Sequence, residues 1–570
     1  MFRDFVITLS LANLWFFNVW RFFLINHPIS YPYYHWKANP APILLGTMLD
    51  ILLLSAMLWI AITLARNSRN SFTLRIARLT FLIMFYLMLI DLLVMTMLHP
   101  AFRQLIDTVI QRPQLLFTSS PSQAGFLWLG ILGLVGAFTL TTILFHRLVF
   151  RRQQLIKLTT ALLLILSPFV LVTFGQAASQ WMRFRSGERF VENTAPATTE
   201  RAHTNRRVLW IIFDEMDFRL TFLDRPSSVH LPAFDRLCNE AIFAQNAYPP
   251  GGDTVLSLPS LITGRLVSWS HRTAANELML TFADNNETVP WSAQPNVFSR
   301  ARTMGFNTAL AGWYHPYCRI IGNSLTKCFW ETASTGFLPD KAIANLVSHS
   351  RDVAVTTSMF RIAEAALLPE SLRILMASRE GSVWRKYDLE KFMNIHKEAL
   401  TLVRDPDIQL IMLHYPIPHP PGIYDRSRHD FSSDSTADYL DNLELTDRVL
   451  GELRMEIEKA GLWESTTVLI SSDHGLRGDR LWKHHLIWQP PFSKVDPIVF
   501  NSKQDERVPF VLRLAGETTG LSYELPFNTV LSQELVLTLL PGAVSKETDI
   551  AKWLDEHRSI AESPYVEGEK

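Results

Sequence analysis

At 570 residues the chain is too long for one hydrophobic core, so two or more domains are expected. Its 54 Lys and Arg balance 54 Asp and Glu, which excludes a general electrostatic affinity for nucleic acid. Hydrophobic residues make up 48% and the mean hydropathy is +0.10, high for a soluble enzyme, with the excess concentrated before about residue 180.

Five apolar segments come first, over residues 5–24, 42–64, 76–98, 126–145 and 156–174. Each is long enough to cross a bilayer as a helix. The first carries Asn13, Asn18 and Arg21, and no short apolar core leads to a cleavage site, so it is not read as a removable signal. The loop after the second segment holds Arg66, Arg69, Arg75 and Arg78. The loop after the fourth holds Arg147, Arg151, Arg152 and Lys157. The alternate loops carry only Lys37, Arg103 and Arg112. Positive loops stay in the cytoplasm, so the N-terminus is expected inside and everything after about residue 178 outside. Asp50 and Asp91 fall within spans, where acids form interhelical contacts, line a substrate groove or carry protons.

Residues 181–206 are polar and read as an amphipathic juxtamembrane helix followed by a linker. From Arg207 onward apolar runs alternate with helical patterns. Strands are expected at 208–213, 308–311, 408–413, 467–470 and 509–514, and helices at 232–243, 297–304, 387–403 and 436–460. The alternation predicts a mostly parallel sheet covered by helices. The expected layout is a membrane domain over 1–178, a juxtamembrane helix and linker over 179–206, an α/β domain over 207–545 and a charged tail over 546–570 that reads as a loose amphipathic helix. The three cysteines, Cys238, Cys318 and Cys328, lack zinc-site spacing. Cys238 reads as a helix core residue. Cys318 and Cys328 flank a Gly-Asn turn and are candidates for a disulfide if the domain lies outside the cytoplasm.

Three stretches carry the chemistry. In R-V-L-W-I-I-F-D-E-M-D (207–217), a buried strand ends in Asp214 and Glu215. In an open α/β sheet, ligands sit off the carboxyl ends of strands. In T-T-V-L-I-S-S-D-H-G (466–475), a second apolar run ends in Asp473 and His474. Between them, a Pro/Gly turn leads into T-V-L-S-L-P-S-L-I-T-G-R (254–265), with Thr254 at the N-cap or first turn of a helix. A helix N-terminus suits a nucleophile whose target is an anion. Each stretch alone also reads as ordinary structure: a solvated turn, a polar turn, a capping threonine. Together they make a metal site of carboxylates, an imidazole and an alkoxide. Hard oxygens with one imidazole fit Zn²⁺ or Mn²⁺ ahead of Ca²⁺ or Mg²⁺. Threonine is a poor nucleophile until a metal lowers its pKa.

These motifs resemble the sulfatase-like branch of the alkaline phosphatase superfamily. Within it they are most similar to membrane phosphoethanolamine transferases and lipoteichoic acid synthase-type phosphoglycerol transferases. T-V-L-S-L-P-S-L-I-T-G-R resembles the sulfatase signature C-x-P-S-R-x-x-L-x-T-G-R, with Thr254 at the nucleophile position. The transferases carry Thr there. Sulfatases need a Cys or Ser convertible to formylglycine, and the following Pro and Arg are Leu256 and Leu258 here, so the resemblance argues against sulfate ester hydrolysis.

The resemblance implies metal ligation by Asp214, Glu215, Thr254, Asp473 and His474. G-F-N-T-A-L-A-G-W-Y-H (305–315) resembles G-Y-x-T-x-x-x-G-K-W-H, placing His315 at a substrate-anion histidine and Trp313 where the family has Lys. L-H-Y-P-I-P-H-P-P (413–421) resembles the P-H-x-P segment, with His419 as substrate histidine and His414 structural. W-K-H-H (482–485) falls where the family places a Lys or His near the leaving oxygen; His484 is taken over Lys483 and His485.

The implied fold is an N-terminal α-helical membrane domain of five spans plus a C-terminal alkaline phosphatase/sulfatase-like α/β domain. The implied setting is the bacterial inner membrane, with the catalytic domain periplasmic. The implied reaction moves phosphoethanolamine or phosphoglycerol from a membrane phospholipid donor to an envelope glycan or lipid acceptor through a phospho-threonine. One alternative is a phosphodiester, phosphonate or sulfate-ester hydrolase of the same superfamily. Another is a transporter or scaffold bearing an inactive extracytoplasmic domain, against which the intact ligand set argues.

Overall fold

The computed structural model describes residues 2–16, 34–37, 41–67, 71–98, 152–184, 190–198, 206–332, 370–432, 437–476, 505–544 and 546–558. The chain divides into two compact units. The second comprises His27–Asn39, Gly187–Gly336 and Ser378–Lys570, and the first holds the remainder. Residues 27–39, which lie between two helices of the first unit in sequence, therefore group with the second unit.

The first unit contains α1 (Phe2–Trp15), α2 (Ala41–Asn67), α3 (Ser71–Leu98), α4 (Arg152–Leu166) and α5 (Pro168–Phe184). Two stretches among the described residues are long and apolar enough to cross a membrane, Leu44–Asn67 and Gln153–Met182. α3 covers the expected third span and α1 covers residues 5–15 of the expected first; residues 17–24 and the fourth span, 126–145, lie outside the described residues, so five crossings are not established. Leu49, Leu52, Leu53, Met57, Ile60 and Leu64 of α2 are exposed, an apolar band that water would not tolerate cheaply. Asn13, which weakens the first span on paper, accepts a hydrogen bond from Thr173 Oγ1 at 2.9 Å. Asp50 is buried on α2, and Asp91 lies on α3.

The second unit is built on an eight-stranded sheet of β1 (Arg207–Asp214), β2 (Ile242–Ala244), β3 (Thr308–Tyr314), β4 (Lys327–Thr332), β5 (Leu410–Pro418), β6 (Thr466–Ser472), β7 (Phe510–Arg513) and β8 (Leu521–Tyr523). The strand order is β8-β2-β7-β6-β1-β5-β3-β4. From β6 to β4 every pairing is parallel; β7 pairs antiparallel with both β6 and β2. All five strands expected from the apolar runs are present.

β1 shows why these runs are unbroken. All eight of its residues are buried. Successive strand side chains point to opposite faces, so Val208, Trp210 and Ile212 join one core while Leu209, Ile211 and Phe213 join the other. A strand with a core on each face cannot alternate polar and apolar residues. The second core is covered by α6 (Pro232–Asn239), which carries the half-buried Cys238, and by a helix over Tyr439–Lys459. That helix starts in a reciprocal capping box between Asp438 and Asp441.

Three boundaries differ from the sequence reading. Residues 190–198 have no regular structure but are tied to the second unit: the Asn193 and Ala195 amides donate to the Cys318 and Leu325 carbonyls at 3.0 and 2.8 Å. The loose amphipathic helix read in the charged tail is instead a packed one, Glu547–His557, whose Ile550 and Leu554 are buried in the first core. The helix expected at 387–403 runs over Glu370–Val403. Cys318 and Cys328 are disulfide-bonded, with Cα atoms 5.6 Å apart.

Candidate active site

Parallel pairing assembles the site. β1 runs beside β6 with Phe213 opposite Ser472, so the next residues, Asp214 and Asp473, emerge together at the carboxyl end of the sheet. His474 follows. Ligand atoms of Asp214, Asp473 and His474 all lie within 4.8 Å of one another, and all three residues are buried. His474 Nε2 is 3.4 Å from Asp214 Oδ1 and 3.6 Å from Asp473 Oδ2. Asp473 Oδ1 accepts from the amides of Glu215 and His474, while Oδ2 accepts no hydrogen bond among the described residues. Two carboxylates converging with one imidazole in a dry pocket are costly unless a cation joins them. The donor set therefore fits a divalent metal, of a type the oxygen and imidazole donors do not distinguish.

Thr254 comes from the third stretch. It opens α7 (Thr254–Thr263), whose N-cap is Asp253: the Asp253 carboxylate accepts from the Leu256 amide at 3.0 Å. Thr254 is thus the first helical residue and not the cap. Its hydroxyl lies 3.4 Å from His474 Nε2, and the residue is only 4% exposed. α7 ends at Gly264 in the left-handed region (φ 72°), where a side chain would also meet Gln533.

Glu215 follows Asp214 with φ 63°, a left-handed conformation that costs a non-glycine residue energy and collects at functional sites. Its carboxylate is directed to His419, whose Nε2 is 3.6 Å from Glu215 Oε2. His419 is partly exposed, its amide donates to the Asp214 carbonyl at 3.1 Å, and its ring lies 5.5 Å from that of Trp313. His315 is fully buried. Nδ1 is 2.7 Å from the Tyr34 hydroxyl and Nε2 3.2 Å from the Thr254 carbonyl. Burial holds its pKa well below the usual imidazole range. His414 is also buried, with Nδ1 3.0 Å from the Tyr317 hydroxyl and 3.1 Å from the Trp313 carbonyl, and burial pushes its pKa down to about 4. Lys483, His484 and His485 lie outside the described residues.

Several supporting groups were not singled out from the sequence. The Tyr439 hydroxyl donates to the Glu215 carbonyl (2.8 Å) and accepts from the Asp217 amide (2.9 Å). Ser472 Oγ accepts from the Met216 amide and sits 2.7 Å from the Phe213 carbonyl. Asn442 Nδ2 donates to the carbonyls of His419 and Pro421, each at 3.1 Å, bracing the loop that carries His419. Ser472 stands next to Asp473 in the motif, and its position was the available signal. Tyr34, Tyr439 and Asn442 carry no local signal, because their roles depend on distant segments.

The sulfatase family model matches residues 206–524, more than half of the chain. The chain belongs to the sulfatase family. This sulfatase-family protein is similar in structure to PsFucS1 sulfatase from Pseudoalteromonas sp., at 15% identity over 59% of this chain and 68% of that chain (TM-score 0.39). It is also similar to the lipoteichoic acid synthase LtaP from Listeria monocytogenes, at 13% identity over 61% and 74% (TM-score 0.33). A protein in the alkaline phosphatase superfamily from Vibrio parahaemolyticus is similar at 12% identity over 61% and 69% (TM-score 0.33). No curated protein matches the chain significantly.

Proposed function

We propose that the protein is a membrane-anchored, metal-dependent transferase that moves a phospho-headgroup, phosphoethanolamine or phosphoglycerol, from phospholipid to a glycan or lipid acceptor through a phospho-threonine. The observation that carries this reading is Thr254: a hydroxyl, not engaged as a cap, 3.4 Å from His474 in the three-donor cluster. Asp214, Asp473 and His474 would hold the cation, with Glu215 and the Thr254 hydroxyl beside them. A bound divalent metal, zinc or manganese, supplies a lowered hydroxyl pKa and neutralises phosphoryl charge.

The residues of the chain do the rest. The first turn of α7 points its amides and its dipole at the phosphoryl oxygens. The Thr254 oxygen bonds to phosphorus as the bond from phosphorus to the diacylglycerol oxygen breaks. His419, partly exposed and paired with Glu215, protonates the leaving oxygen. The acceptor hydroxyl then gives its proton to His419 and its oxygen bonds to phosphorus as the bond from phosphorus to the Thr254 oxygen breaks, which restores Thr254. The exposed apolar band of α2 and the Cys318–Cys328 disulfide support an anchored catalytic unit in an oxidising compartment, at the outer face of the bacterial inner membrane. There the donor lipid stands at high effective concentration.

The test separates the nucleophile from the metal ligands. Thr254→Ala should lose turnover by orders of magnitude while metal content stays near one equivalent. Asp473→Asn and His474→Ala should lose metal and turnover together. A Thr254→Ala enzyme that keeps near-normal turnover on phosphatidylethanolamine or phosphatidylglycerol would instead indicate a metal-hydroxide hydrolase.

A further inference from the structure

Tyr34 belongs by sequence to the segment between α1 and α2, yet it is part of the core beneath β1. Four residues, Tyr34 to Lys37, are fastened there. Tyr34 and Trp36 are buried. His35 Nδ1 lies 2.8 Å from the Tyr314 carbonyl, and Arg319 donates to the Lys37 carbonyl at 2.7 Å. Lys37 pairs with Glu331 at 3.0 Å. This strap ends in one contact that reaches the site: the Tyr34 hydroxyl on His315 Nδ1.

The hydrogen bonds of His315 have one consistent assignment. The Thr254 carbonyl can only accept, so Nε2 carries the proton and donates to it. His315 is fully buried and has no carboxylate partner among the described residues, which favours the neutral ring. A neutral imidazole has a single N–H. Nδ1 is then the acceptor, and the Tyr34 hydroxyl donates to it at 2.7 Å. Both ring nitrogens are spent on the protein, and neither is left to meet a substrate anion.

We infer that Tyr34 is a positioning residue for Thr254: its hydroxyl locks His315 in the Nε2–H tautomer, and His315 holds the Thr254 carbonyl and with it the first turn of α7. The inference rests on the reading of Thr254 as nucleophile. It assigns His315 to orientation and makes the strap a component of the site. Without the Tyr34 donor the ring can flip or change tautomer, the grip on the Thr254 peptide loosens, and the hydroxyl leaves its line of attack. Misplacement by about 1 Å costs on the order of 10²-fold in rate.

The test uses the full-length, metal-loaded protein in lipid nanodiscs containing phosphatidylethanolamine and phosphatidylglycerol. Tyr34→Phe keeps the buried ring and removes the donor; kcat should fall about tenfold with KM for the donor lipid unchanged. His315→Gln places an amide N–H where Nε2 stood, and should keep turnover within about threefold of wild type. His315→Asn places its amide near Nδ1 and leaves the Thr254 carbonyl without a donor, so turnover should fall about a hundredfold. Solid-state ¹⁵N spectra of histidine-labelled protein, with His315 assigned by difference against His315→Gln, should show the Nε2–H tautomer in wild type and a mixture in Tyr34→Phe. Unchanged kcat and an unchanged tautomer in Tyr34→Phe would overturn the inference, and so would a His315→Gln enzyme as poor as His315→Asn. Thr254→Ala, run in the same assay, keeps the two readings apart. If it retains turnover the nucleophile reading fails, while the spectrum still decides whether Tyr34 locks His315.

Discussion

Asp253 caps α7, and that leaves the Thr254 side chain free for chemistry. The sequence left Thr254 at the N-cap or in the first turn of the helix. The geometry gives the Leu256 amide to Asp253 and points the Thr254 hydroxyl at His474. Stability and activity should therefore separate. Asp253→Ala should lower unfolding stability by about 1 kcal/mol. Thr254→Ala leaves that cap bond in place and should lower stability by less than Asp253→Ala does. Chemical denaturation of the two variants checks this, and equal losses would return the cap to Thr254. The ligand residues were legible because each follows an apolar run and stands where a parallel sheet presents its ends. The work of His315 was not, since its partners are Tyr34, 281 residues earlier in the chain, and a backbone carbonyl.

At the scale of elements, apolar runs with a core on both faces were readable, and edges were not. β1, β5 and β6 announce themselves as unbroken apolar runs, Val208–Phe213, Leu410–Leu413 and Val468–Ile470. β2 and β8 have three residues each and no such signature. The helix Glu547–His557 reads from the sequence as a charged tail with a loose amphipathic helix, and Ile550, Ala551, Trp553 and Leu554 pack its inner face onto the core. That helix carries a buried liability. Glu547 Oε1 accepts no hydrogen bond among the described residues, and burial, reinforced by Glu517, raises the carboxyl pKa to about 7. The folded state thus binds a proton that the unfolded chain releases near its ordinary value of 4.5. Stability from this group is full below that ordinary value and is lost as pH rises through about 7. Glu547→Gln should raise the melting temperature at pH 8 and leave it little changed at pH 4. A variant that melts lower than wild type at pH 8 would contradict the assignment.

For the whole molecule, the second unit is discontinuous: it takes in residues 27–39 before the chain returns to α2. A linear reading of domains from hydropathy could not anticipate this, because a loop of thirteen residues has no pattern that says where it docks. The loop's place in the catalytic unit has a consequence for topology. In the proposed membrane-anchored reading, residues 27–39, 187–336 and 378–570 share one side of the membrane, the side also expected from the arginine-rich even-numbered loops. An alkaline phosphatase reporter fused after residue 206, and a cysteine accessibility probe in the 27–33 stretch, should both report the extracytoplasmic side. Opposite sides would break the shared unit, and cytoplasmic signals from both would remove the lipid donor from reach. The proposed intermediate, however, is covalent. Full-length enzyme in bilayers of phosphatidylethanolamine and phosphatidylglycerol, acid-quenched during turnover and digested, should yield the peptide containing Thr254 with a phospho-headgroup ester on that residue. Replacing Thr254 with Ala should abolish both the adduct and turnover. An unmodified Thr254 in enzyme caught turning over, or an adduct on another residue, would contradict the account.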